Sequence, residues 1–173
     1  MTSRWRVFSG LALLIGALLI GIKSVAILAT GDQPPLLFEI SPFFFALGVL
    51  GLAPALDLPN PRRRVVPALG LIALLAAATA AITELTDEVF GPALAVATLA
   101  AIAGALLSGW HAGGDPTKRA LVLIAIAVVP AMLIGGILAE VNERLLEIGL
   151  LGYALAWAYA GHKLVARPAP PGP

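Results

Sequence analysis

Long stretches of apolar side chains alternate with short polar turns along this chain. Six of them, at 7–30, 37–56, 65–84, 90–110, 121–140 and 145–161, carry few or no charged residues. A helix of about 20 such residues covers the ~30 Å hydrocarbon layer of a bilayer. The runs are continuous and rich in Ala and Leu rather than alternating at every second position, which predicts helices and not membrane-barrel strands. The expected fold class is an all-α integral membrane protein of six transmembrane helices arranged as three helical hairpins. These form one domain over 1–166, and the proline-rich stretch 167–173 reads as an extended, flexible tail.

Turn residues punctuate the same pattern. Pro34 and Pro35, Pro59 and Pro61, and Gly113, Gly114 and Pro116 fall between the runs. Ser41-Pro42 reads as a helix start, a capping hydroxyl before a proline at the first helical position, which leaves Glu39 just outside the second helix.

Charge fixes the expected orientation. Arg4, Arg6, Arg62, Arg63, Arg64, Lys118, Arg119, Lys163 and Arg167 fall on one side with only Asp57 and Asp115. Asp32, Glu39, Glu84, Asp87, Glu88, Glu140, Glu143 and Glu147 fall on the other with Lys23 and Arg144. Cytoplasmic loops hold Lys and Arg, so both termini are expected in the cytoplasm, with the chain a multi-pass protein of the bacterial inner membrane. The Ala-, Arg- and Pro-rich composition suggests the bacterial source. Arg4 and Arg6 before an apolar run also suit a secretory signal, but the run exceeds a signal core, which favours a retained first helix. Trp5, Phe90 and Trp110 stand at span ends, where aromatic rings prefer the headgroup layer, whereas Trp157 is expected to pack within the sixth helix.

Composition narrows the function classes. With 60% hydrophobic and 12% charged residues, the chain has about half the charge of an ordinary soluble domain; its mean hydropathy is +0.97. A soluble enzyme, a disordered chain and a nucleic-acid-binding domain are excluded on this reading, and membrane lipids are the expected partners. The chain has no cysteine, which removes disulfides and thiolate chemistry.

The basic clusters that open the hairpins begin 58 and 56 residues apart, and Glu84-Leu85-Thr86-Asp87 matches Glu140-Val141-Asn142-Glu143 at an offset of 56. This suggests a threefold hairpin repeat, although evenly sized hairpins would produce the same spacing. Small residues recur every four positions: Ala73, Ala77 and Ala81 on the third span, Ala93, Ala97, Ala101, Ala105 and Gly109 on the fourth, and Ala127, Ala131, Gly135 and Ala139 on the fifth. Such stripes allow close helix approach in lipid, within the bundle or toward a second copy or another membrane protein. Pro130 frees a backbone carbonyl mid-helix and is a candidate hinge.

An ionisable residue inside a span is a functional candidate because its insertion is unfavourable. Lys23 lies 17 residues after Arg6, roughly 25 Å along a helix, on the face that carries Ala12 and Gly16. It either snorkels to the headgroups or pairs with Glu39, Glu84 or Glu140. Together with Glu147, these carboxylates could ring an outward-facing funnel that concentrates cations, or they are solvated loop charges.

Enzyme signatures do not occur. His111 and His162 lack partners at metal-ligand spacing, no nucleophile elbow or zinc helix is present, and residues 113–118 lack the phosphate-loop order. No catalytic residue, metal or cofactor is expected. The sequence points first to a non-catalytic membrane scaffold, assembly or stress-related component. The alternative is a small cation- or proton-coupled transporter or channel using Lys23 and the outer carboxylates.

Overall fold

The computed structural model describes residues 2–32, 34, 37–85, 91–110 and 115–166. All regular structure among them is helical: α1 Thr2–Thr30, α2 Leu37–Leu50, α3 Leu52–Leu56, α4 Arg62–Leu85, α5 Gly91–Gly109, α6 Pro116–Val141, a 3-10 turn Glu143–Leu145, and α7 Leu146–Ala166. Ser3–Thr30, Arg62–Thr83, Gly91–Gly109 and Pro116–Gly135 are long and apolar enough to cross a membrane. The apolar part of α2, Ile40–Leu50, is shorter. α7 has the length but carries Glu147, His162 and Lys163. Large apolar side chains cover the outside of the bundle, as at Leu18, Leu75, Leu133 and Leu155. A soluble monomer rarely exposes apolar surface on this scale, and a membrane location follows.

Helix ends have local causes. Gly31, at φ +85°, closes α1 by donating its N–H to the Ile27 carbonyl, a conformation that glycine adopts without strain. Asp115 starts α6: its Oδ1 accepts from the Thr117 N–H at 2.9 Å, with Pro116 at the first helical position.

Two expectations about the second span need correction. Ser41 and Pro42 do not start α2 but lie inside it, and Glu39 is a helical residue. Close packing overrides the capping preference here: Ser41 is fully buried, and Gly16 of α1 fits against its carbonyl and the Phe45 ring. The span is also not one helix, because a turn at Gly51 divides it into α2 and α3. Ser9 of α1 occupies the space that a side chain at Gly51 would need. At the other end of the chain, α7 continues to Ala166, beyond the expected 161.

Each long helix packs on the next in sequence, α3 continues α2, and α7 returns to α1 and closes the circuit; α2 also reaches α5. The α1–α7 crossing is a backbone contact. A Cβ on Gly10 would lie 2.8 Å from the Gly161 carbonyl oxygen, and one on Gly161 would lie 2.7 Å from that of Gly10. At the centre, Trp157 is fully buried and stacks on Phe45 with ring centroids 4.4 Å apart, while Tyr153 meets both rings edge-on.

The small-residue stripes are present with shifts. Ala93, Ala97, Ala101, Ala105 and Gly109 are all buried. On α4 the third buried alanine is Ala80 rather than Ala81, which is half-buried. On α6, Ala127 and Ala131 are half-buried and Gly135 abuts Leu146 of α7. α6 runs on through Pro130, whose ring is exposed. Phe90, His111 and the tail from Arg167 lie outside the described residues.

Candidate functional site

The inward stripe of α1 contains Leu13, Ala17, Ile20, Lys23, Ser24 and Ile27. Spacings of three and four residues keep these positions on one helix face, so the face that packs Leu13 against the core also carries Lys23 inward. Glu147 stands in the first turn of α7 and shares its face with Leu150, Ala154, Trp157 and Gly161, all buried. Because α7 runs antiparallel to α1 from the Gly10–Gly161 crossing, the start of α7 arrives beside Lys23. The Lys23 Nζ donates to Glu147 Oε1 at 2.7 Å, and both side chains are about 5% exposed.

Glu147, expected among the outer carboxylates rather than beside the lysine, is a buried partner of Lys23 and not a solvated loop charge. The side chains of Glu39, Glu84 and Glu140 lie outside the described residues. The electrostatic setting is favourable to a carboxylate, because the α7 N-terminus adds the positive end of its dipole to the ammonium. The second oxygen, Glu147 Oε2, is buried without a hydrogen bond, as is the neighbouring Ser24 hydroxyl. One turn beyond the pair, the Arg144 guanidinium lies over Gly31.

One turn from the pair toward the bundle centre, Ile20 and Leu150 line a cavity of about 390 Å³ to which α1, α2, α5, α6 and α7 contribute. Among the described residues its walls are apolar apart from the hydroxyl-bearing Ser41, Thr98 and Tyr153, and none of them is charged. Among the described residues, no three His, Asp or Glu side chains gather to hold a metal ion.

At the opposite end of the bundle, the arginine run divides its work. Arg62 Nη1 donates to the Trp110 carbonyl at 2.7 Å, placing a cation at the C-terminal end of α5. Arg63 and Arg64 are exposed. The sequence offered no signal for the Arg62 contact. For Glu147 a signal existed, since it shares a helical face with Ala154 and Gly161, small residues that mark a packed surface. Comparison of the chain with protein-family models, curated proteins and solved structures finds no match.

Proposed function

We propose that the chain is a six-span protein of the bacterial cytoplasmic membrane, built as three hairpins with both termini in the cytoplasm. Its role is non-catalytic, as a membrane-embedded scaffold, assembly or stress-related component. The observation that carries this reading is the Lys23–Glu147 pair, a closed and buried contact that joins the first and last helices. A transport path needs polar groups at membrane depth that an ion or proton can reach in succession. Among the described residues, the cavity next to the pair is lined mainly by apolar side chains, with hydroxyls at Ser41, Thr98 and Tyr153.

Support for six spans comes from α2 and α3, which together cover 37–56, and from the 21 residues of α7, each enough for a ~30 Å layer. The segregation of basic and acidic turns supports the orientation. Lipid is the immediate partner, and a second copy or another membrane protein is the class of partner a scaffold would hold; nucleic acid is not among them.

Reconstitution into liposomes under potassium and pH gradients tests the role. The scaffold reading expects no flux above that of empty vesicles, together with a defined cross-linked oligomer or complex in native membranes. Flux that Lys23→Met or Glu147→Gln abolishes would replace it with the transporter reading.

A further inference from the structure

α5 and α6 pack closely at one end, where Gly109 fits against the backbone of Lys118 and the Val122 side chain. Toward the other end both helices contribute walls to the cavity, α5 through Leu94, Ala95, Thr98, Leu99 and Ile102, α6 through Val128 and Ala131. We propose that this cavity binds one acyl chain of a bilayer phospholipid, entering sideways between α5 and α6.

Three observations point to that occupant. The wall is continuous with the lipid-facing surface: Leu99 lines the cavity and is 65% exposed, and Ala95 beside it is exposed as well. Leu99 stands in the middle of α5, so the opening meets hydrocarbon rather than water. The depth also fits. The lining runs from Gly91, the first residue of α5, to Ile102, roughly 17 Å along a helix and close to one leaflet of a ~30 Å core.

Chemistry agrees with the dimensions. Water held there would need several polar partners, which the described wall residues supply at Ser41, Thr98 and Tyr153. An empty void would leave its lining without dispersion contacts on one side. A flexible methylene chain restores those contacts, and about 390 Å³ lies within the ~300–1,000 Å³ usual for bound small molecules. Ser41 and Gly91, near helix ends, mark the shallow end where the ester would sit, and Ile102 marks the deep end.

The test uses the full chain in nanodiscs of phosphatidylethanolamine and phosphatidylglycerol, with a diazirine on one acyl chain of the latter. After irradiation, the labelled residues are mapped by mass spectrometry. Label at the buried positions Phe45, Ile102 or Leu150 is the expected result, because lipid around the bundle cannot reach them. Label confined to outward residues such as Leu75 and Leu155 would overturn the proposal. A parallel arm offers a free fatty acid with the same diazirine; if that probe alone labels the inner positions, the phospholipid assignment is wrong. Ala131→Phe, which fills the cavity, is expected to lower inner labelling several-fold while outward labelling stays constant. Equal inner labelling in a folded Ala131→Phe variant would count against an internal site, and the wild-type map remains decisive should that variant not fold.

Discussion

Gly10 and Gly161 each occupy the space that a side chain on the other would require, which lets α1 and α7 cross with their backbones in contact. Gly10→Val and Gly161→Val are therefore expected to push the helices apart, at a cost of about 1–3 kcal/mol for overpacking. Gly21 and Gly152 on the same two helices have open space at the Cβ position. Alanine there should be neutral or stabilise by about 0.5–1 kcal/mol through helix propensity. Thermal unfolding in detergent distinguishes the two sets, and equal losses at all four positions would refute the crossing.

The Lys23–Glu147 pair should behave as a unit. Lys23→Met leaves a buried carboxylate uncompensated and Glu147→Leu leaves a buried ammonium, each costing about 3–5 kcal/mol. The double variant should recover much of that loss, because two apolar side chains of similar size avoid desolvating either charge. A double-mutant cycle measures the coupling, and strictly additive losses would mean that the contact carries no energy of its own.

Arg62 and Arg63 are neighbours with different roles. Arg62→Ala removes a cation from the α5 C-terminus and should cost about 0.3–1 kcal/mol at such a solvent-facing site. Arg63→Ala should leave unfolding unchanged. If the two variants unfold alike, the Trp110 carbonyl contact is not contributing.

Asp115 caps α6 through its side chain. Asp115→Ala should cost about 0.5–2 kcal/mol, and Asp115→Ser should retain most of the stability because a hydroxyl also accepts from the N–H of the first turn. Amide hydrogen exchange over Thr117 and Lys118 reports the loss directly.

Since the chain has no cysteine, single cysteines introduced at Arg63 and Asn142 can be probed without background. A thiol reagent that cannot cross the membrane should label the Asn142 position from outside intact cells, and the Arg63 position only after the membrane is opened. Labelling of both from outside would overturn the proposed topology.

The helices were legible because lipid-facing and core-facing residues are both apolar, so a span shows as a continuous run whatever its neighbours are. Their interruptions were less so. Ser41-Pro42 has the local chemistry of a cap, yet α2 starts at Leu37, since Gly16 packs Ser41 against α1. At the break, Gly51 leaves room for Ser9, a contact between residues 42 positions apart in sequence. Lys23 could be identified as a residue inside a span facing protein, but its partner lies 124 positions further on. Nothing local to Lys23 states that the last helix returns beside the first.

That return has a consequence for biosynthesis. Ribosomes add about 5–20 residues per second, so Lys23 is made roughly 6–25 s before Glu147. During that interval the lysine must be sheltered by the insertion machinery or by headgroups. A product cut short before α7 would hold that ammonium without the Glu147 carboxylate.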